Sequence, residues 1–500
     1  MIPRRPAARP PTTAGAANPT AEGAGSTARP GRAAARPART AAWVAVGLAV
    51  ALVAGCSGTR SGGSGSGAAA PTTGTPTTGG GAAAASACVK NEQGTGCLPI
   101  APDSARVDRA KPRYSNPTRI TNARFPVGEL TQVLQLGREG GEPLRVEITR
   151  LPATRTLTWD DQRVETVASQ FLALVGGRIR EVAIDYFAQA DDGSVWYFGE
   201  DVANYQAGVV ADHDGSWLAG KDGPAGMIMP GQPKAGDVYR SENIPGMVFE
   251  QDTVKATGQT VPGPRGPVQD VAMVQELLMD GTVEEKAFAP GYGEFQAKAK
   301  DELVTVALAL PVDAAPGAPP AALATLADGA RASSEAGGGG RWAAASARAG
   351  AMAAAWRRAA AGEVPRLLDE QLRDALAGLT KAVGARQAGR TGQAAFQVGQ
   401  AALDLQLRHR APQAVDQDRL DLWARRLLAD AAAKDRGAVA GDVATLEVLW
   451  DRAGQGADPA TAKRVGAALA ALRKAADGND PKAAAAAVPA LRAALPRSGP

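Results

Sequence analysis

The sequence predicts an α+β multidomain protein: an antiparallel curved β-sheet or half-barrel domain followed by an all-α helical bundle. Three observations carry this expectation. Across 100–311, apolar residues alternate and are broken by Asp-Gly turns. Across 341–500, apolar residues recur at helical spacing in an alanine-rich background. Between them, 312–340 is rich in Gly, Ala and Pro and ends in Gly337–Gly340, which reads as a linker.

In chain order, residues 1–55 read as a signal peptide. The first 40 residues carry Arg4, Arg5, Arg9, Arg29, Arg32, Arg36 and Arg39 against one acid, Glu22. That is a surplus of six, against +4 for the whole chain. The remainder is therefore close to neutral and offers no broad basic field for nucleic acid. The apolar run Ala41–Gly55 follows, and at about 1.5 Å per residue it is short for a hydrocarbon layer of about 30 Å. It ends in Val53-Ala54-Gly55-Cys56, small residues leading into a cysteine. This lipobox pattern predicts cleavage before Cys56 and acylation of its thiol with chains of the palmitate kind. The expected location is the extracytoplasmic face of a cell membrane, with a single transmembrane anchor as the competing reading. Arg4-Arg5 lies too far from the apolar run for a twin-arginine signal.

Residues 56–99 form the expected lipidated cysteine, flexible tether and small loop. The tether is Gly/Ser/Ala/Thr/Pro low complexity. With Cys56 assigned to lipid, Cys88 and Cys97 remain, and an isolated pair in an exported chain favours a disulfide over two free thiols. Two cysteines without a nearby histidine make a poor zinc site.

In the β region, Arg178–Gln189 alternates, Ala190-Asp191-Asp192-Gly193 supplies a tight turn, and Ser194–Glu200 returns. Gly208–Ala211 reads as a third strand ahead of a turn at Asp212–Gly215, and Ser216–Ala219 leads away. Val271–Met279 and Thr282–Phe288 flank the turn Asp280-Gly281, and Leu303–Leu310 closes the set. Leu144–Thr149 and Arg155–Trp159 look extended. The expectation is a meander of eight or more strands, strongly curved. In the helical region Leu368, Leu372, Leu376 and Leu379 make one stripe, Leu420, Trp423, Leu427 and Ala431 a second, and Val443, Leu446 and Trp450 a third. Asp458-Pro459 and Asp480-Pro481 each read as N-cap plus first-turn proline.

The motifs Glu181-Val-Ala-Ile-Asp-Tyr-Phe-Ala-Gln189, Gly193-Ser-Val-Trp-Tyr-Phe-Gly-Glu-Asp201 and Gly215-Ser-Trp-Leu-Ala-Gly220 stand in fixed order with Met227-Ile-Met-Pro-Gly231, Gly236-Asp-Val-Tyr239 and Phe288-Ala-Pro-Gly-Tyr-Gly293. Through them the β region resembles a family of uncharacterised secreted or lipid-anchored bacterial β-rich proteins of the actinobacterial lipoprotein type. It is also similar, more distantly, to lipoprotein-carrier-like half-barrels. The heavy use of Ala, Arg, Gly and Pro agrees with a GC-rich genome. The resemblance implies location and fold, and no chemistry.

Candidate residues follow from strand geometry. Trp196 and Phe198 face opposite to Tyr197, and one set is a candidate lining for an apolar ligand site, against simple core packing. Asp185 and Glu200 are spaced to meet across a hairpin as the paired carboxylates of a hydrolase. Asp191, Asp192, Glu200, Asp201, Asp212 and Asp214 suggest Ca²⁺ at one sheet edge, but Asp and Gly are also what turns require. His213 and His409 fall in different predicted domains, so no His-based triad or multi-His metal site is expected. Met227 and Met229 read as packing. No catalytic residue, metal site or cofactor is expected. The expected function is non-enzymatic binding of an apolar ligand or envelope partner through the β domain. The alternative is an interaction module that docks a partner through its helices, and a carboxylate-based hydrolase ranks third.

Overall fold

The alternating segments become a meander of strands. The structure is a computed structural model that describes residues 88–360 and 363–496. The expected signal peptide, the lipid-bearing Cys56 and most of the tether lie outside the described residues. Among the described residues, β1 (Gln132–Glu139), β2 (Glu142–Trp159), β3 (Gln162–Val175), β4 (Arg178–Gln189) and β5 (Val195–Gln206) run antiparallel in sequence order. The edge strand β6 (Val209–Asp212) and two short strands, β7 (Trp217–Leu218) and β8 (Gly226–Met229), all pair with β5. Then come β9 (Val238–Ile244), β10 (Val248–Gly263), β11 (Gly266–Leu278), β12 (Val283–Ala289), β13 (Gly293–Lys298) and β14 (Glu302–Leu310). β14 pairs with β1, which joins both halves into one 14-stranded sheet.

Turn chemistry and register agree with the sequence. At the β4–β5 hairpin the Gly193 amide donates to the Ala190 carbonyl at 3.0 Å, and Gly193 takes φ +85°, a conformation that costs glycine little. Arg145–Trp159 is less regular than two separate strands would be. Leu144–Thr149 and Arg155–Trp159 are both parts of the single long β2, whose register shifts between Arg150 and Thr154.

The sheet is strongly curved. β5 and β9 lie near opposite ends of the strand order, yet the indole Nε1 of Trp217 on β7, beside β5, donates to Glu242 on β9 at 2.6 Å. Gly226 on β8 lies so close to β9 that a Cβ there would meet the Ser241 carbonyl oxygen at 1.9 Å. The strip β7–β8 thus spans from β5 toward β9. Among the described residues no backbone ladder joins β8 to β9.

The helices are α1 (Ala321–Gly338), α2 (Trp342–Ala359), α3 (Arg366–Gly384), α4 (Ala388–Gln406), α5 (Pro412–Ala432), α6 (Arg436–Ala453), α7 (Pro459–Asp477) and α8 (Pro481–Ala494). The leucine stripe of α3 is buried, as is the Leu420–Ala431 stripe of α5. Asp458 and Asp480 cap α7 and α8, each accepting from backbone amides two or three residues on. One expectation is corrected here. The segment 312–340 is not a bare linker, because α1 occupies most of it and buries Leu323, Leu326, Ala330 and Ser333. Its glycines and alanines permit close packing: Gly329 sits against the Met352 side chain of α2.

The helices also pack on the sheet. Leu134, Leu308 and Leu310 share one apolar cluster with α1–α4, and Leu172, Leu174 and Ile179 share another with α5–α8. Alternation along β2 sorts the two faces: Leu144 and Val146 pack with residues of β3, β13 and β14, while Arg145 and Glu147 point to the helices. There they enter a buried, charge-balanced network. The Arg145 guanidinium grips both oxygens of Asp404 on α4 at 2.7 and 2.8 Å, and Arg419 on α5 reaches Asp404 and Asp416 at 2.7 Å each. Arg452 on α6 completes it through Glu147 and Asp416. The three arginines outweigh burial and hold the Glu147 carboxyl well below the usual carboxylate range. All described residues belong to one compact unit.

Candidate functional site: the carboxyl-lined interior

The face of the sheet turned away from the helices carries an unusual belt of acids. Asp185 on β4 stands directly opposite Glu200 on β5, as the sequence suggests. Beyond that pair, Glu242 on β9 faces Glu250 on β10, Asp252 faces Glu276 on β11, and Glu276 faces Glu284 on β12. Like charges directly opposed across strands are destabilising. All seven carboxyls are buried, with Glu200, Glu242, Glu250, Glu276 and Glu284 at 0% exposure. The cation among them is Lys286, 1% exposed, whose Nζ lies 2.6 Å from Glu276 and 3.6 Å from Glu294 on β13.

These groups cannot all be ionised in so little water. Burial, countered in part by the Tyr197 hydroxyl and reinforced by Glu181, pushes Asp185 up to about 8. Burial and then the neighbouring Glu242 and Asp185 hold Glu200 well above the ordinary carboxylate range. Glu242, Glu250, Asp252 and Glu284 are raised for the same first reason. Burial works against the Lys286 ammonium, but Glu276, Glu294 and Glu284 outweigh it and keep it charged. A belt in which some of the carboxyls hold their protons is the arrangement this burial supports. Some partners are in place: Ser241 Oγ bridges Glu250 and Asp252 at 3.0 and 2.8 Å, and Tyr197 donates to Asp185 at 3.1 Å. Both oxygens of Glu200 and the Tyr239 hydroxyl are buried without a partner. Among the described residues no three His, Cys, Asp or Glu side chains are grouped so as to hold a metal ion.

The other residues singled out by sequence fall into ordinary roles. Trp196 and Phe198 both pack on Trp159, with ring centroids 5.7 and 6.0 Å away. Tyr197 lies on the opposite face, stacked on Phe187 at 5.0 Å and meeting Trp217 edge-on at 5.4 Å. All three rings are at most 3% exposed, so their faces are taken by other rings. Asp191 accepts from Ser115, Asp192 from Ser194, and Asp212 from Asn204 and the Asp214 amide, while Asp201 pairs with Arg155 and Tyr186. Turn geometry therefore accounts for Asp191, Asp192 and Asp212, and Asp201 is an ion-paired residue of β5. Met227 and Met229 pack in the core with β5. His213 bonds the Val202 carbonyl, and His409 the Gly317 carbonyl. Cys88 and Cys97 form a disulfide. No described helix is long and apolar enough to cross a membrane. Elsewhere, a groove of about 610 Å³ opens at the tip of the β10–β11 hairpin, lined by Pro262, Pro264, Arg265 and Pro267 against Val364 and Arg366.

Sequence reasoning missed most of the belt. Glu250, Glu276 and Glu284 sit at buried positions of strands that also carry exposed polar residues, and a carboxylate at the buried parity is the signal that finds them. No family model matches the chain, and no curated protein and no solved structure matches it.

Proposed function

We propose that this chain is an exported protein, tethered through a lipid on Cys56 to the extracytoplasmic face of a membrane, and that it works by interaction with an envelope partner. The β part serves as a filled scaffold. The observation that carries this reading is the fate of Trp196, Tyr197 and Phe198: their rings are consumed by packing on Trp159, Phe187, Tyr114 and Trp217. An apolar carrier needs such rings to face a ligand. The acidic interior supports the same preference, because buried carboxyls make a poor lining for an alkyl chain. The hydrolase reading finds less support: a substrate cannot touch Glu200, at 0% exposure, in the closed sheet. The test is organic extraction of the purified full chain followed by mass spectrometry. The scaffold reading expects no stoichiometric apolar compound apart from the covalent lipid. A stoichiometric compound whose yield falls in Trp196→Ala would restore the carrier reading.

A further inference from the structure

The β8–β9 gap and the carboxyl belt occupy the same place. Every other adjacent pair along the curved sheet is held by a backbone ladder. Across the gap, closure rests on side-chain contact and on the tight approach of Gly226 to Ser241, with the Trp217–Glu242 hydrogen bond as its polar link. On either side stand acids of the belt: Glu200 on β5 and Glu242 on β9, each within electrostatic reach of the other. We propose that protons held by the carboxyls of this belt latch the sheet closed, and that proton loss opens the interior along β8–β9.

The physics is local. When Glu200 and Glu242 are neutral, nothing opposes contact of β8 with β9. When both ionise, two buried like charges flank Trp217, which stands opposite Glu200 and bonds Glu242, where no ladder resists separation, and opening lets water reach them. Elsewhere the same charges meet ladders of many hydrogen bonds. The charged and titratable groups that act on Glu200, Tyr239, Glu242 and Glu250 are Glu181 and Asp185 from β4, Asp252 from β10, Glu276 from β11 and Lys286 from β12, with Asp237 ahead of β9 and Tyr197 on β5 bonded to Asp185. β7 and β8 bring none of their own. Lys286, 2.6 Å from Glu276, draws Glu242 down in part, but burial and the neighbouring acids outweigh it. Burial and the neighbouring acids raise both groups and outweigh the Trp217 hydrogen bond that favours ionised Glu242, so the latch is closed in acid and released as pH rises.

Hydrogen exchange on the detergent-solubilised full chain tests this directly. After correction for the base-catalysed intrinsic rate, peptides covering Gly226–Met229 and Arg240–Glu242 lose protection by about tenfold or more between about pH 6 and pH 9, while those from α3 and α7 keep theirs. In the doubly substituted Glu200→Gln, Glu242→Gln chain, which keeps shape but cannot ionise there, the same peptides change by less than about twofold. Protection at β8–β9 that does not respond to pH in the natural sequence would overturn the proposal. So would loss of protection everywhere at once, or a doubly substituted chain that opens with pH as the natural one does. If that variant does not fold, the location of the loss in the natural sequence decides alone.

Discussion

Asp404→Ala is the sharpest probe of how the helices are fixed to the sheet. Asp404 is 0% exposed and sits at the centre of the buried network, accepting from Arg145 at 2.7 and 2.8 Å, from Arg419 at 2.7 Å and from Gln400 at 3.2 Å. The network balances Arg145, Arg419 and Arg452 against Glu147, Asp404 and Asp416. Removing Asp404 leaves an uncompensated buried positive charge shared by two guanidinium groups, one on the sheet and one on α5. Breaking a buried pair from one side costs about 3–5 kcal/mol, so a loss near 4 kcal/mol is expected, a large share of an ordinary domain's stability of about 5–15 kcal/mol. Glu370→Ala is the control. Its partner Arg366 lies at 2.8 Å, but both side chains are more than half exposed, and such a pair contributes about 0.5 kcal/mol or less. Urea unfolding followed by far-ultraviolet circular dichroism and by tryptophan emission reads both variants. The two signals should coincide, since helices and sheet share their apolar clusters. A loss below about 1 kcal/mol for Asp404→Ala would refute the claim that this network fixes the helices in place.

Three further outcomes follow from the interior and the core. Asp185, raised to about 8 against an ordinary value of 3.8, favours the folded state most below about pH 4, and that contribution is lost as pH climbs toward 8. Asp185→Asn should therefore flatten the fall in stability across that window, by on the order of 5 kcal/mol, and an unchanged slope in pH-dependent urea melts would contradict the burial argument. Gly226→Ala places a Cβ against the Ser241 carbonyl and should cost about 1–3 kcal/mol by thermal melting, whereas a neutral result would mean β8 is free to move off β9. Phe198→Ala, at a 0% exposed ring beside Tyr114 and Trp159, should cost about 3–5 kcal/mol in a urea melt, and a cost below about 1 kcal/mol would argue that the ring is not core.

Local chemistry made much of the fold legible. Asp191-Asp192-Gly193 and Asp280-Gly281 mark hairpins because Asp and Gly meet the backbone demands of tight turns, and both turns are where the spacing puts them. The Leu368–Leu379 stripe and the two Asp-Pro starts mark helices for equally local reasons. What could not be read was long-range. α1 has only Leu323 and Leu326 as large buried side chains, and its helix is stabilised by packing on α2 and α4, which composition does not reveal. The pairing of Asp185 with Glu200 was visible because a hairpin fixes register. The approach of Glu242 and Glu250 to that pair was not, because it depends on curvature that brings opposite ends of the sheet together. Nothing local marks Arg452 as buried, yet it is 4% exposed, since its partner Glu147 comes from a strand 305 residues earlier.

The most direct test of the central claim is a native mass spectrum of the chain isolated in detergent from the membranes of cells that make it. The proposed function predicts a chain beginning at Cys56, heavier than its sequence by a diacylglycerol group with or without a further acyl chain, and carrying no additional stoichiometric apolar adduct. A chain that retains residues 1–55, or an unmodified Cys56, would contradict the lipid tether. A bound apolar molecule beyond the covalent lipid would contradict the filled scaffold.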